Sequence, residues 1–402
     1  MIRIPIDEVT TGMKLARTLY YQYGGVMLAA GATLDAHFIS RLRQFGYTSI
    51  YIYDEDTEDL VIYDYIDERA RQSITTRVQA LFSSIREEVA RSFSSDELKI
   101  KSAQEMRGKV EEGKFRDILD RINIKATFAA AVENIIENLL SDREICMCVG
   151  SIKTSANYIY DHSLEVAIHS ALIAKRLAFP RDEIRDIILG CLLHDIGYIF
   201  IPEDIRTQSR LTQRDVNILQ QHAIYGYYLL RDRDDISLLS AHMAYQHHER
   251  QDGEGYPRGL TGTNKVVRRH EAIYERSNTI HRYSSIVAVP NYYDGLVSNL
   301  PYKKAIPPDE AIKKIRDAKG TMLNEEVVDV FLDYIPVYPL GTSIVVTSGK
   351  YHGWRGVVIA VMSDKVDKPV IRLLHDRRKK IKKPIDIDLK EEKEINIKAV
   401  WK

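Results

Sequence analysis

Histidines are concentrated in one part of this 402-residue chain. Seven of the twelve lie between His162 and His248, where an even spread would place two or three. Apolar residues in the same segment recur at three- and four-residue spacing, as in SLEVAIHSALIAKRL, which is typical of packed helices. Imidazoles in a bundle core need hydrogen-bonding or metal partners, because burying an unpartnered polar group costs several kcal/mol. The segment therefore predicts a helical bundle with a metal centre in its core.

The strongest element of this cluster is the pair His194 and Asp195, which follows the nearly continuous apolar run IILGCLL. A carboxylate can bridge two cations and a neutral imidazole supplies a nitrogen ligand, so a metal would offset the desolvation of both side chains. We expect Gly197 to cap the C-terminus of the helix that carries them. For this dipeptide taken alone, the alternative to a metal site is a hydrogen-bonded His–Asp pair in a helical core.

Three further histidines are candidate ligands. His222 borders the apolar stripe of a helix that opens with a capping box at Thr212 and Asp215. For His222 taken alone, the alternative to a role as metal ligand is that its side chain simply packs in the core. His247 and His248 are adjacent, and neighbouring side chains on a helix diverge by about 100°. At a helix end, however, both can converge on one centre.

These ligand types limit the chemistry. Several imidazoles with a shared carboxylate suit iron, manganese or zinc better than calcium or magnesium. Two such ions about 3.5 to 4 Å apart can bind both non-bridging oxygens of a phosphodiester and lower the pKa of a bridging water. The sequence has no Ser-His-Asp elbow, P-loop or Gly-rich dinucleotide fingerprint that would indicate another reaction. The residues therefore predict metal-assisted hydrolysis of a phosphodiester.

Composition excludes several other classes of protein. Lys plus Arg and Asp plus Glu are both 57, so the chain is not a globally basic nucleic-acid binder, and we expect no direct DNA binding. Three cysteines cannot build a disulfide framework, which favours a reducing, cytoplasmic location. No stretch has the length and apolar character of a signal peptide or a membrane span.

The hydrophobic pattern changes three times along the chain and predicts a multidomain, mainly helical protein. Short β-like runs around one helix indicate a small α+β module, and a Gly-poor, charged stretch indicates a helical connector. A large helical block follows, and a tail of alternating residues around Gly turns indicates a small β-barrel-like domain. The expected boundaries are 1–64, 65–125, 126–335 and 336–402.

Three strings in the helical block carry a resemblance to a known family. They are HDIG at 194–197, QHAIYG around His222, and HHERQDGEGYPRGLTG at 247–262. From about residue 160 to 333, the chain resembles the HD-GYP subfamily of HD-domain phosphohydrolases. The resemblance implies an all-helical bundle in a bacterial enzyme that hydrolyses cyclic di-GMP to linear pGpG or onward to GMP with bound iron or manganese. The modules before and after the bundle are similar to frequent companions of this domain.

The resemblance also implies roles for individual residues. The expected metal ligands are His162, His194, Asp195, His222, His247, His248 and Asn291. His162 and His194 would bind a first ion, the other three histidines would bind a second, and Asp195 would bridge the two ions. The candidate catalytic residues are Asp195, Tyr198 and Glu249. The candidate substrate contacts are Asp252, Gly255, Tyr256 and Pro257, and the resemblance also gives Glu249 and Asp252 a loop-fixing role.

Four positions depart from the family pattern. Tyr198 stands where the family has a Lys, and Asn291 stands where it has an Asp, so affinity for the first ion should be lower. We also expect Pro290 to displace the turn that carries Asn291. Tyr158 replaces a Glu that some members use for a third ion. We therefore expect one or two ions of iron or manganese, with a binuclear centre favoured and zinc ranked lower.

Several alternatives remain open at this stage. The first is a degenerate domain that has kept the pocket and acts as a cyclic di-GMP receptor or interaction platform. The second is a hydrolase for another phosphoester. The segment 263–279 is longer than the usual family connection, which makes it a candidate lid or docking site for a signalling partner. The C-terminal domain is a second candidate docking site for such a partner. The expected substrate is cyclic di-GMP or a related cyclic dinucleotide, and a homodimer is left open.

Overall fold

In the computed structural model, strands occupy both ends of the chain and helices occupy its centre. The structure describes residues 1–21, 25–47, 49–60, 66–92, 105, 107–109, 120–140, 158–269 and 278–400. The N-terminal elements are β1 (Ile2–Pro5), β2 (Leu19–Tyr20), β3 (Val26–Leu28), α1 (Ala36–Gln44) and β4 (Ser49–Ile52). β1 pairs with β4 and β2 with β3, both antiparallel. Asp35 caps the N-terminus of α1, because its carboxylate accepts a hydrogen bond from the Phe38 amide at 2.7 Å. The strands and α1 enclose a hydrophobic cluster of their own.

The central helices bury one large apolar core, as the sequence predicts. They are α2 (Glu68–Ser92), α3 (Ile124–Leu140), α4 (Tyr158–Arg176), α5 (Arg181–Leu193), α6 (Glu203–Arg206), α7 (Gln213–Leu230), α8 (Leu238–Gln246), α9 (Arg282–Val297), α10 (Pro308–Ala318) and α11 (Glu325–Leu332). A 3₁₀ turn, Ile196–Phe200, follows α5. The capping box expected at Thr212 and Asp215 is present at the start of α7. Every residue of α4 from His162 to Ala174 is buried, so α4 is the central helix of the bundle.

Helix α2, from the expected connector, contributes its apolar face to the same core. Its Arg71 also pairs with Glu165 of α4, with 2.5 Å between Nη1 and Oε1 and side chains only 12% and 4% exposed. A second contact joins Thr75 Oγ1 to Asp161 Oδ1 at 3.3 Å. The connector is therefore packed directly against the helix that carries His162.

The C-terminal strands form one five-stranded antiparallel sheet of order β8-β7-β6-β5-β9. The strands are β5 (Ser343–Val346), β6 (Arg355–Met362), β7 (Lys365–His375), β8 (Lys380–Asp388) and β9 (Ile397–Ala399). The barrel-like closure expected from the sequence is not found, because β8 and β9 lie at opposite edges and do not pair with each other. The open sheet touches the N-terminal elements, where Arg372 of β7 pairs with Asp59 at 2.6 Å.

No helix in the part of the chain that the structure describes combines the length and hydropathy needed to cross a bilayer.

Candidate metal centre

Asp195 lies between two pairs of histidines. Its Oδ2 is 3.7 Å from Nε2 of His162 and 3.5 Å from Nε2 of His194. Its Oδ1 is 3.4 Å from Nε2 of His222 and 3.6 Å from Nε2 of His247. The two carboxylate oxygens therefore face two separate groups of nitrogens, which is the arrangement expected of a bridging ligand. His248 joins the second group, since its nearest ring nitrogen lies within 4.8 Å of those of His222 and His247.

Backbone carbonyls fix the orientation of three of these rings. Nδ1 of His194 lies 2.6 Å from the carbonyl oxygen of Cys191, and Nδ1 of His222 lies 2.6 Å from that of Leu219. Nδ1 of His247 lies 3.0 Å from the carbonyl oxygen of Met243. A carbonyl can only accept, so Nδ1 carries the proton and Nε2 carries the lone pair. In His162 the same role falls to Asp294, whose Oδ2 is 2.6 Å from Nδ1. All four Nε2 lone pairs are thus directed toward Asp195, as in metal sites.

The resulting geometry fits divalent metal ions. Nε2 of His162 and His194 lie 3.3 Å apart, and Nε2 of His222 and His247 lie 3.1 Å apart. Lone pairs that face each other at such distances repel unless a cation lies between them. Burial also lowers the pKa of His194, His222, His247 and His248, which keeps the rings neutral and able to bind metal.

The Asp195 carboxyl is buried among the candidate ligand imidazoles. Burial by itself raises its pKa, but attraction to the protonated forms of His194, His222 and His162 outweighs that effect and lowers the pKa overall. When the imidazoles are neutral, a bound divalent cation would supply this attraction instead, beside one carboxylate and several ring nitrogens. This donor set suits iron, manganese or zinc.

Gly197 brings the two halves of the centre together. A Cβ built on Gly197 would lie 2.0 Å from the carbonyl oxygen of His222 and 2.6 Å from the amide nitrogen of Gly226. Only glycine lets the turn after Asp195 approach α7 this closely. The expected role as a helix C-cap is wrong, because α5 ends at Leu193 and Gly197 lies inside the following 3₁₀ turn.

Asn291 reaches the first group of ligands. Its Oδ1 is 2.9 Å from Nε2 of His162, so a neutral carbonyl lies beside the group formed by His162, His194 and Asp195. The displacement expected at Pro290 is not observed, because α9 continues through this residue to Val297. Asn291 and Asp294 stay three residues apart on one helix face, where both meet the His162 ring.

The loop after His248 is held by Glu249 and Gly255. Glu249 accepts from the amides of Arg258 (2.7 Å) and Leu260 (2.8 Å), one on each carboxylate oxygen. A Cβ on Gly255 would lie 2.4 Å from the amide nitrogen of Arg250, so glycine is required there. Glu249 thus has the contacts of a loop-fixing residue, and a catalytic role finds no support in its geometry.

Asp252 likewise contacts its own loop. It is exposed, and its carboxylate pairs with Arg250 at 2.5 Å and accepts from the Glu254 amide at 3.0 Å. These contacts also indicate loop fixing and give no evidence for a substrate contact.

Tyrosines line the histidine cluster. Tyr198 stacks on His222 with ring centroids 4.2 Å apart and planes at 8°. Tyr256, which precedes Pro257 in a cis peptide bond, stacks on His248 at 4.6 Å and 20°. Tyr158 stacks on His162 at 5.1 Å and 23°. Tyr198 and Tyr256 therefore lie beside the candidate ligand histidines, and their roles toward a substrate stay predictions.

Sequence reasoning missed Asp294 and the stacking of Tyr158. The spacing of three residues from Asn291 to Asp294 on an apolar helix was the available signal. Two basic residues of segment 263–279 are engaged elsewhere: Arg268 pairs with Glu326 at 2.6 Å and Arg269 pairs with Asp182 at 3.1 Å. Residues 270–277 of that segment lie outside the described part of the chain.

Comparison with known proteins agrees with this geometry. Residues 159–296, which carry all of these ligands, match the family model described as "HD domain". The chain contains an HD domain. The resemblance noted in the sequence is thereby confirmed at the level of this domain. HD-domain phosphohydrolases depend on metal, and the two ligand groups of the HD domain could hold it.

Three curated relatives cover this HD domain. Cyclic di-GMP phosphodiesterase PA4108 of Pseudomonas aeruginosa is 28% identical over 254 residues, which cover 63% of this chain and 56% of the relative. The cyclic di-GMP phosphodiesterase of Thermotoga maritima is 35% identical and covers 42% of this chain and 43% of the relative. The response regulator RpfG of Xanthomonas campestris pv. campestris, also named a cyclic di-GMP phosphodiesterase, is 33% identical, with 42% of each chain covered. The chain thus spans about half the length of these relatives.

Proposed function

We propose that this protein is a metal-dependent phosphodiesterase of the HD-GYP type that hydrolyses cyclic di-GMP. The observation that carries the proposal is the Asp195 carboxylate, whose two oxygens each face a separate pair of imidazole nitrogens within 3.7 Å. Relatives that share the domain are named for this activity. The proposed cofactor is a pair of iron or manganese ions.

In this proposal His162, His194 and Asn291 would hold one ion, His222, His247 and His248 would hold the other, and Asp195 would be shared by both. Two bound divalent ions would polarise the phosphodiester and lower the pKa of water. Burial keeps the imidazoles of His194, His222 and His247 neutral, and the backbone carbonyls at their Nδ1 atoms keep them oriented. Tyr198 contributes a phenol that can donate a hydrogen bond to a phosphate oxygen.

A chromatographic assay of cyclic di-GMP hydrolysis tests the proposal. Protein purified without oxygen and loaded with Mn²⁺ or Fe²⁺ should release linear pGpG, and Asp195→Asn should abolish the reaction and reduce the metal content. Asp232→Asn is the matched control, since this carboxylate is 52% exposed and pairs with Arg231. Loaded protein that hydrolyses neither cyclic di-GMP nor another cyclic dinucleotide would refute the proposal.

A receptor without hydrolysis is the second candidate function, and Asn291 is the observation that favours it. Its Oδ1 occupies a ligand position at 2.9 Å from His162 Nε2 with a neutral carbonyl, which binds a cation less strongly than a carboxylate does. The double substitution Asn291→Asp and Tyr198→Lys distinguishes the two functions. Activity that appears only in this double variant would favour the receptor, and substantial hydrolysis by the parent protein would reject it.

We also propose the division of the chain at residues 64, 125 and 335. Separate hydrophobic clusters near both ends support the first and last boundaries. Residues 263–279 and the C-terminal sheet are the proposed docking regions for a signalling partner.

A further inference from the structure

The loop after the candidate ligand His248 is closed at its base, and we call residues 251–262 the Tyr256 loop. At the base, the Gly262 amide donates to the carbonyl of Gln251 at 3.0 Å. At the tip, the Tyr256 amide donates to the carbonyl of His248 at 3.2 Å, and the Tyr256 ring stacks on the same imidazole. The position of Tyr256 beside the histidines therefore depends on how the base of the loop is held.

The base of the Tyr256 loop is bonded to the turn between α10 and α11. The Gln251 amide donates to the carbonyl of Met322 at 3.3 Å, and the Asp252 amide donates to a second carbonyl of this turn at 2.9 Å, that of Thr321. The turn lies beyond the match to the HD domain, which ends at residue 296. Residues outside the matched domain therefore help to hold the loop.

Asn264 connects the same two parts of the chain. Its backbone amide donates to Oε1 of Gln251 at 3.0 Å. Its Nδ2 donates to the carbonyl of Gly320 at 2.9 Å, and its Oδ1 accepts from the amide of Glu325, the first residue of α11, at 3.3 Å. Asn264 thus bonds to the base of the Tyr256 loop on one side and to both ends of the α10–α11 turn on the other.

Gln251 carries this connection into the loop. Its side chain is only 8% exposed, and a Cβ built on Gly262 would lie 1.8 Å from its Oε1. The Gln251 side chain therefore fills the space beside Gly262, and the oxygen that accepts from Asn264 lies against the far end of the loop. A change in the position of Asn264 would be felt at both ends of the loop base.

The backbone of Asn264 adopts a conformation that most side chains disfavour. Its φ is +56°, and Asn264 and Ala178 are the two non-glycine residues with positive φ among those that the structure describes. Asparagine tolerates this region better than most residues, and such conformations persist where surrounding contacts hold them. The bonds to Gly320 and Glu325 supply such contacts. The direction of the chain after the loop is therefore set by α11.

We propose, resting on the phosphodiesterase function above, that Asn264 is a positioning residue for substrate binding. It holds the Tyr256 loop against the α10–α11 turn and thereby keeps Tyr256 and Pro257 beside His248, where they would contact the cyclic dinucleotide. Asn264 acts through the loop and does not itself contact the substrate.

The orientation of the candidate metal ligands has a different origin. Backbone carbonyls three or four residues earlier in the chain orient His194, His222 and His247, and none of these carbonyls belongs to the Tyr256 loop. A contact that binds the substrate and the transition state equally changes KM and leaves kcat unchanged. Loss of the Asn264 side chain should therefore raise KM and leave kcat and metal content nearly unchanged.

Asn264→Gly isolates the side chain, because glycine adopts positive φ without a steric penalty. In metal-loaded protein this variant should raise KM for cyclic di-GMP at least about fivefold, as expected for the loss of two hydrogen bonds, while kcat stays within about twofold. Asn264→Ala adds backbone strain and should raise KM further. Ala178→Gly is the matched control, since it also places glycine at a position of positive φ but lies between α4 and α5, and KM should not change.

Hydrogen exchange provides a readout that does not depend on turnover. In Asn264→Gly, amides of the Tyr256 loop should exchange at least about tenfold faster, and those of α4 should be unchanged. Glu326→Gln is a second variant, because Glu326 accepts from the Val266 amide at 2.7 Å and pairs with Arg268 at 2.6 Å. It should accelerate exchange in the same loop to a smaller extent. Equal acceleration in the loop and in α4 would mean a general loss of stability and would overturn the proposal.

The two measurements separate this inference from the function on which it rests. Metal-loaded parent protein that hydrolyses no cyclic dinucleotide would refute the phosphodiesterase, whereas unaltered loop exchange in Asn264→Gly would separately refute the hold of Asn264 on the loop. Hydrolysis of cyclic di-GMP with the same KM in the parent and in Asn264→Gly would leave the phosphodiesterase standing and would overturn the role of Asn264 in substrate binding.

Discussion

Asn291→Asp should strengthen the binding of one of two metal ions and leave the other nearly unchanged. The Asn291 carbonyl lies 2.9 Å from His162 Nε2, in the group that also contains His194 and Asp195 Oδ2. The substitution keeps the size of the side chain and replaces a neutral oxygen with an anionic one. The second group, formed around His222, already contains three imidazoles.

The expected gain in metal affinity follows from two opposing contributions to the binding free energy. Two unit charges 4 Å apart attract by about 4 kcal/mol at an effective dielectric constant of 20, and a divalent ion roughly doubles this. Bringing a carboxylate into this buried place costs several kcal/mol of desolvation. A net gain of about 1.5 to 3 kcal/mol remains, which corresponds to roughly a 10- to 100-fold gain in affinity.

Calorimetric titration of metal-free protein with Mn²⁺, backed by elemental analysis after dialysis, measures both sites. The parent protein should show a tight step and a weaker step, and in Asn291→Asp the weaker step should move toward the tight one by the factor above. Asn217→Asp is the matched control, because Asn217 is exposed on α7 and the change adds the same charge. A weaker step that does not move, or an equal gain in both steps, would refute the assignment of Asn291 to one site.

Three further predictions concern stability. Gly197→Ala should lower the unfolding midpoint and the metal content together, because its Cβ would lie 2.0 Å from the His222 carbonyl; thermal unfolding with elemental analysis checks this. His281 has its pKa lowered to about 3 by burial, so the unfolded chain binds a proton that the folded chain does not between about pH 6.5 and 3. Stability should fall by up to about 1.4 kcal/mol for each pH unit lost in that window, and urea unfolding of His281→Gln should show a shallower fall. Arg71→Met should cost about 3 to 5 kcal/mol by leaving Glu165 charged and buried, and adding Glu165→Leu should recover much of it.

Much of the candidate ligand set could be predicted because the residues concerned follow local patterns. His194 and Asp195 end an apolar run, and His247 and His248 directly follow α8, where a helix end lets both rings turn toward one centre. The capping box at Thr212 likewise depends on neighbouring residues alone. Spacing along one element is sufficient for such features.

Features that depend on contact between distant elements could not be predicted in the same way. Asp294 becomes a partner of His162 only because α9 lies against α4, 132 residues away in sequence. Gly197 carries a common capping signal, and its close approach to His222 is visible only once α7 is in place. The open C-terminal sheet could not be predicted for the same reason, because the periodicity of the strands does not determine whether the two edge strands pair with each other.

In the proposed centre, Asp294 and Asn291 together make the first group of ligands different from the second. Asp294 holds the Nδ1 proton of His162 through a 2.6 Å contact, which makes Nε2 a stronger electron donor without placing a charge on the ion. Asn291 offers only a carbonyl at the same ring. An ion bound there would therefore keep one more unit of positive charge than an ion with a carboxylate at position 291. It would bind less tightly but polarise a phosphodiester more strongly, so the same residue that lowers metal affinity does not by itself remove hydrolytic capacity.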